Sequence, residues 1–278
     1  MEIRRSEKAG IHISSIKGQD LPLEAKKNVA GVAGLALLEA HNPQLGFEIL
    51  IEKNIKPGSG IGSSAASAVG TVAGINYLLG NPFTPTELIP FAMEGERLAC
   101  GSAHADNVAP ALLGGFTLVR NTNPLDVCKL PTPLELAATV IHPKIEVKTA
   151  DARAVLKKRV SLEKAISQWA NVGALVSSLY EEDYALLSRA LVDEIVEPTR
   201  SILIPKFKEL KNVCKEAGAL GSGISGSGPS VFALSRGMDT ANTVAKAMQE
   251  MYEQTGIPFE IHVSPVKQSG VSILENIT

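Results

Sequence analysis

Cysteine and aromatic residues are scarce in this sequence, and neither sign of charge dominates. Three cysteines, Cys100, Cys128 and Cys214, stand far apart in 278 residues. Their odd number and wide spacing exclude a disulfide-built secreted domain and a cysteine zinc module, and suit a reducing compartment. Acidic and basic side chains nearly cancel, leaving a net charge of −2 and a pI near 6.2. That balance excludes a general attraction to nucleic acid or to anionic membrane. No apolar run approaches the roughly 18 residues of a membrane span, and residues 1–10 are too polar for a signal peptide. A cytoplasmic globular protein is expected, with 45% apolar residues and ample core for one large or two ordinary domains.

Glycine, by contrast, is plentiful and clustered. Residues 57–68 read Pro57-Gly58-Ser59-Gly60-Ile61-Gly62-Ser63-Ser64-Ala65-Ala66-Ser67-Ala68. Three glycines let the backbone turn tightly and let its N–H groups approach a ligand without a Cβ in the way. The small-residue run from Ser63 predicts a helix with serine at its N-cap. Just before, Gly46 to Ile55 alternates apolar and acidic residues, as a half-buried strand does. Strand, bare loop and helix N-terminus make an anion site, because free amides and the positive helix end point the same way. Phosphate is the natural guest. The pattern is neither the P-loop, which needs Gly-Lys-Ser/Thr, nor the dinucleotide fingerprint.

The remaining pattern predicts strands within 1–17, a helix from about Pro22 to Ala40 and a helix over 63–79. Thr84-Pro85-Thr86-Glu87 predicts a capping box that opens a helix running to about Cys100. Gly114–Arg120 reads as turn and strand, Asn121–Pro133 as a proline-rich connection and Ala137–His142 as a strand. A domain boundary is expected within 125–150. Helices follow at about 150–157, 161–180, 183–196 and 205–217, then a glycine-rich loop (221–230), a strand (230–234), a helix (239–254) and a strand (258–264). Interrupted strands mixed with helices predict an α+β fold rather than a doubly wound parallel sheet.

Several residues are chemically apt. A carboxylate and a serine hydroxyl are sufficient protein ligation for Mg²⁺, which takes its other oxygens from phosphates and water. Glu96 with Ser63 or Ser64 is the candidate pair. His104 and Asp106, two apart in a loop and followed by Asn107, form a polar wall for a small polar substrate. Thr149 and Arg153 are four apart at a helix opening and so share a face. Arg200 has the planar fork that clamps a carboxylate. The second glycine cluster, Gly221 to Ser230 with Gly226 at its middle, is placed to face the phosphate ligand or close the substrate pocket.

The segment Pro57–Ala66 resembles the phosphate loop of the superfamily of galactokinase, homoserine kinase, mevalonate kinase and phosphomevalonate kinase. Gly221–Ser230 resembles its C-terminal glycine-rich motif. Within that superfamily, His104-Ala-Asp106-Asn107-Val-Ala-Pro110, Gly114-Gly115-Phe116, Lys148–Arg153 and Glu197-Pro198-Thr199-Arg200 are similar to the homoserine kinases. The resemblance implies a ribosomal-protein-S5-like, ATP-binding domain over 1–135 and a ferredoxin-like domain over 136–278, commonly in a homodimer. It implies phosphoryl transfer from ATP to the side-chain hydroxyl of L-homoserine, as in threonine biosynthesis. Residues 57–66 would hold the ATP phosphates, and Glu96 with a loop serine would hold Mg²⁺. His104, Asp106, Asn107, Thr149, Arg153, Arg200 and Gly226 would surround homoserine. Asp106, Glu96 and Arg200 would be the catalytic set. A kinase for another small alcohol, such as mevalonate, and a nucleotide-binding chain of impaired turnover are the other readings. The second arises because the family's opening segment, of the form Pro-Ala-Ser/Thr-x-Ala-Asn, has no counterpart here. Roughly 30 residues and a first strand are therefore expected to be missing, leaving an exposed sheet edge.

Overall fold

A computed structural model describes residues 1–145 and 155–275. The chain forms two compact units. Met1–Pro57, Gly62–Lys129 and the C-terminal segment from Lys267 make the first; Gly58–Ile61 and the described residues of Leu130–Val266 make the second.

In the first unit, strands β1 (Glu2–Ser6), β2 (Gly10–Lys17) and β3 (Gly46–Glu52) form a sheet in the order β1-β3-β2. β1 runs antiparallel and β2 parallel to the central β3. Helices α1 (Val29–His41) and α2 (Ser63–Leu78) pack on it, and α3 (Pro85–Cys100) packs on those two helices. The core is built by Phe47 and Ile49 from the sheet and Leu37, Ile75 and Ile89 from the helices. α2 contributes mainly alanine, valine and serine, so the helices approach closely. The approach is tightest at Gly95, where a Cβ would lie 2.7 Å from the Val29 carbonyl and 3.0 Å from Ala68 Cβ. A short helix α4 (Val108–Leu113) and a hairpin of β4 (Phe116–Thr122) and β5 (Leu125–Leu130) complete the unit. The C-terminal segment docks on it through Val271 N–H to the Ala111 carbonyl and Gly115 N–H to the Lys267 carbonyl, both 2.8 Å.

The second unit holds β6 (Leu136–Pro143), β7 (Gly221–Ile224), β8 (Val231–Arg236) and β9 (Phe259–Pro265) in the order β7-β8-β6-β9. All pairs are antiparallel. With helices between β6 and β7 and between β8 and β9, this is a ferredoxin-like arrangement. Among the described residues the helices are α5 (Leu162–Glu181), α6 (Tyr184–Ala190), the single turn α7 (Glu197–Arg200), α8 (Phe207–Glu216) and α9 (Met238–Glu253).

Four local expectations are corrected. The first long helix starts at Val29 rather than Pro22, because Asn28 is extended and its side chain accepts the Ala30 N–H as a cap. The proline-rich 121–133 contains a strand, paired with β4. Gly221–Ile224 is a strand rather than a loop, since glycine without a side chain still completes a ladder with Val231–Leu234. The helix expected over 183–196 ends at Ala190, where Asp193 instead accepts the N–H groups of Ile195, Val196 and Glu197 and opens a new turn. The Thr84 capping box with Glu87 and Pro85 in the first turn is present.

Candidate active site

The glycine loop leaves β3 at Glu52 and enters α2 at Ser63. Gly58, Gly60 and Gly62 all have positive φ, between 75° and 82°. The N-cap of α2 is Gly62, in the left-handed region, and not a serine. Ser63 is already inside the helix, and its hydroxyl donates to the Ile55 carbonyl at 2.7 Å, closing the loop on itself. The free amides at this helix end have no side-chain cap, which leaves them for a ligand.

Around that helix end the first unit gathers an ionisable cluster. Glu96, on α3, is 3% exposed, and its Oε1 has no hydrogen-bond partner. Burial pushes its carboxyl above the ordinary range and Asp106 adds to the shift; a hydrogen bond with Ser64 and the charges of His104 and Lys53 oppose it. Glu96, Ser64, His104 and Asp106 are therefore brought together electrostatically, although 64, 96 and 104–106 are distant in sequence. Ala105 is buried, with His104 half-buried and Asp106 exposed on either side of it. The Asp106 carboxylate accepts the Asn107 N–H at 3.1 Å, which holds the loop entering α4.

Lys53 is the functional candidate that sequence reasoning missed. It follows β3 directly and is buried. Its Nζ donates to the Ser63 carbonyl (2.7 Å) and to Ser67 Oγ (2.5 Å). Burial pulls its ammonium below the usual lysine range, with Glu96 opposing. In sequence Glu52-Lys53-Asn54 reads as a solvated strand end; the signal was its position immediately before a phosphate-type loop. A cavity of about 120 Å³ opens beside it, lined by Pro22, Val29, Ile51, Lys53, Pro57 and Ser64 among others.

In this cluster a magnesium ion fits Glu96 and Ser64 by donor chemistry: a buried carboxylate with a spare oxygen stands beside a hydroxyl. Ser63 is committed to Ile55. Among the described residues no group of three or more His, Cys, Asp or Glu side chains could hold a metal alone, so the remaining ligands would be phosphate and water.

In the second unit, residues 58–61 pack on the other glycine-rich segment. Ser225 Oγ donates to the Gly60 carbonyl (2.8 Å) and Ser230 Oγ to the Ser59 carbonyl (2.6 Å). A Cβ on Gly60 would meet the Ser225 carbonyl oxygen at 2.6 Å and that of Gly228 at 2.8 Å, so only glycine fits. Arg200 Nη1 donates to the Gly226 carbonyl at 3.2 Å. Arg200 and Gly226 line a cavity of about 310 Å³ together with Glu197, Asp193 and Ser222. Glu197 is held at its rim by Lys211 at 2.5 Å. Thr149 and Arg153 lie outside the described residues.

The chain as a whole is similar to known proteins. The model of the GHMP kinases N terminal domain matches residues 27–115 and that of the GHMP kinases C terminal matches 175–254. A homoserine kinase from Chloroherpeton thalassium is 46% identical over 275 residues, covering 96% of this chain and 86% of that protein. The crystal structure of homoserine kinase from Cytophaga hutchinsonii superposes with a TM-score of 0.92 at 51% identity, covering 96% of this chain and 86% of the other. A mevalonate kinase from L. major, solved in complex with R-mevalonate, shares only the fold, at 18% identity over 97% of this chain and 86% of that one, with a TM-score of 0.70. The chain is thus a two-domain α+β small-molecule kinase of the GHMP class. Within that class it belongs to the homoserine kinase family.

Proposed function

We infer that this chain transfers the γ-phosphoryl group of ATP to the side-chain hydroxyl of L-homoserine, giving O-phospho-L-homoserine and ADP. The observation that carries the reading is the buried Glu96 carboxylate with a spare oxygen, set beside Ser64 at an uncapped helix N-terminus that a bare glycine loop feeds. Such a carboxylate is destabilised as it stands and is relieved by a cation that brings phosphate oxygens with it.

Phosphoryl transfer asks for alignment of the hydroxyl with phosphorus and for neutralisation of the transferred oxygens. The amides of Gly58–Ala66 and the α2 dipole supply fixed positive potential for the phosphates. The cavity beside Lys53 offers the nucleoside an apolar berth, and the Lys53 ammonium steadies the loop by holding the Ser63 carbonyl. Mg²⁺, on Glu96 and Ser64, would neutralise phosphate charge when bound. We assign the homoserine carboxylate to Arg200, whose planar fork suits it, with Gly226 buttressing that arginine. His104, Asp106 and Asn107 are assigned to the amino and hydroxyl groups, and Thr149 and Arg153 are assigned to substrate on sequence grounds. Asp106 is exposed close to Glu96, so it is the carboxylate we assign to orient the hydroxyl or accept its proton. The surroundings fit a cytoplasmic metabolic enzyme; among the described residues no helix is long and apolar enough to cross a membrane.

The test is ADP release with homoserine, threonine and mevalonate supplied side by side, with and without Mg²⁺. Preference for homoserine and dependence on the metal are expected. Preference for mevalonate, or no turnover of any acceptor, would overturn the assignment.

A further inference from the structure

Strand β6 is aliphatic from Leu136 to Ile141, Thr139 apart, and then carries a histidine, His142, that is only 4% exposed. A buried imidazole costs free energy unless its polar atoms are hydrogen-bonded, whereas one more aliphatic side chain there would not. His142 lies one step past the Ile141–Val231 pair of the β6–β8 ladder, which sets it beside Ser230. Its Nδ1 is 3.1 Å from Ser230 Oγ, and Ser230 Oγ is 2.6 Å from the Ser59 carbonyl oxygen. Ser230 and Ser59 are as buried as the ring, at 0% and 1% exposure. All three residues belong to the second unit. On the other side of β6, Glu260 of β9 stands opposite His142, and that carboxylate is held by Lys144 at 3.0 Å.

The direction of this chain follows from the atoms in it. A carbonyl oxygen only accepts, so the Ser230 hydroxyl proton lies toward Ser59, and Nδ1–H of His142 is then the donor to Ser230 Oγ. A hydroxyl that accepts a hydrogen bond is also the stronger donor. The next carbonyl, that of Gly60, is held in the same way by Ser225 Oγ at 2.8 Å. The Ser225 N–H donates to the Ser230 carbonyl at 2.8 Å, which ties the two serines together. In a trans peptide the C=O and the following N–H point in opposite directions. Holding the Ser59 and Gly60 carbonyls onto the second glycine-rich segment therefore turns the Gly60 and Ile61 N–H groups away from it. Those two amides belong to the glycine loop that feeds α2.

We propose that His142 is a positioning residue for the nucleotide phosphates: its Nδ1–H fixes the Ser230 hydroxyl on the Ser59 carbonyl and so presets the direction of the Gly60 and Ile61 amides. The proposal rests on the reading of residues 57–66 as the loop that holds the ATP phosphates. The ring is buried beneath Ser230 and acts only through that hydroxyl. Amides aimed in advance spare the ligand the cost of ordering them, so the gain falls on nucleotide binding and not on the acceptor alcohol.

Two amide substitutions separate this role from mere space-filling. Asparagine carries its amide nitrogen at the same bond separation from Cβ as Nδ1, whereas glutamine places it where Nε2 stands. Calorimetric binding of ADP to the full chain, with KM for ATP and for homoserine, should be compared for the parent, His142→Asn, His142→Gln, Ser230→Ala and the pair His142→Gln with Ser230→Ala. His142→Gln should weaken ADP binding and raise the ATP KM about tenfold, with the homoserine KM within about twofold of the parent. His142→Asn should stay within about twofold of the parent in all three. The paired variant should be no worse than Ser230→Ala, because both changes break one chain. Should a His142 variant fold poorly, the side-chain ¹⁵N spectrum of the parent reads the same link. His142→Asn or Ser230→Ala identifies the His142 signal among the five histidines, and a proton on Nδ1 is expected. A neutral ring protonated only at Nε2 overturns the proposal, as do equal effects of asparagine and glutamine, a parallel rise in the homoserine KM, or additive losses in the pair. A parent that binds no ADP overturns the phosphate-loop reading itself and the proposal with it; a parent that binds ADP no better than His142→Gln overturns the proposal alone.

Discussion

Replacing Glu96 by glutamine should make the unliganded protein more stable and the enzyme worse. Glu96 is 3% exposed and one of its oxygens has no partner. A buried acceptor left unsatisfied costs about 1–3 kcal/mol. Here the residual charges of Lys53 and His104 return part of that, and Asp106 takes part of it away. A neutral amide of the same shape removes the charge burial while keeping a polar end for Ser64, so a net gain of about 1 kcal/mol at neutral pH is expected. In a chain of this size that is a rise of about 2–4 °C in melting temperature. The effect has a signed pH dependence. Folding raises the Glu96 pKa above its ordinary 4.5. The stability contributed by its neutral form is therefore full below that ordinary value and is lost as pH rises through the folded value. The advantage of glutamine should accordingly grow from acid to neutral pH and vanish towards pH 4.5, where the parent carries a neutral carboxyl too. Turnover should fall about a hundredfold or more, with a flattened response to Mg²⁺, because a neutral amide is a poor ligand. Thermal melts of both proteins from pH 5 to 8, without ligands, combined with ADP-release kinetics over a range of Mg²⁺, make the measurement. A variant less stable than its parent at neutral pH, or one with the parent's turnover at every Mg²⁺ concentration, refutes the reasoning.

Three further outcomes follow from the same geometry. Gly60→Ala forces a residue with a Cβ into φ +82° and against two carbonyls; the strain alone is about 1–2 kcal/mol, and the KM for ATP, measured at saturating homoserine, should rise about tenfold or more, an unchanged KM counting against the loop's role. Lys53→Met removes the donor to Ser63 and Ser67 and a charge that lowers the Glu96 pKa. The acid limb of the kcat/KM profile should move to higher pH, and a limb that stays in place would separate Lys53 from Glu96. Arg200→Lys keeps the charge but loses the fork, so the homoserine KM should rise about tenfold with kcat less affected; unchanged KM would release Arg200 from the carboxylate.

Much of this protein was legible because its signals are local. The order strand, bare glycine loop and small-residue helix needs no distant partner to be read, and neither does the Thr84–Glu87 box that starts α3. The alternation of β3 and the apolar β6 and β8 announced strands for the same reason. Errors fell where a local signal was outweighed by a neighbour in space or by backbone geometry. Ser63 has the chemistry of an N-cap, yet Gly62 alone takes the left-handed conformation the chain needs there, so serine enters the helix. Gly221–Ile224 reads as loop by composition and is held as a strand by its ladder with β8. Leu125–Leu130, between prolines, is made a strand by pairing with β4.

The sequence by itself therefore determined the class of fold, the bare glycine loop at a helix N-terminus and the helix-capping signals, because backbone freedom, capping and periodicity are properties of neighbours along the chain. Tertiary structure decided which of those residues share a site and in what electrostatic state. Burial strips water from Glu96 and Lys53 and so perturbs both, and close helix packing at Gly95 carries Glu96 to Ser64. These are consequences of proximity and desolvation, which arise when segments far apart in sequence are folded against one another.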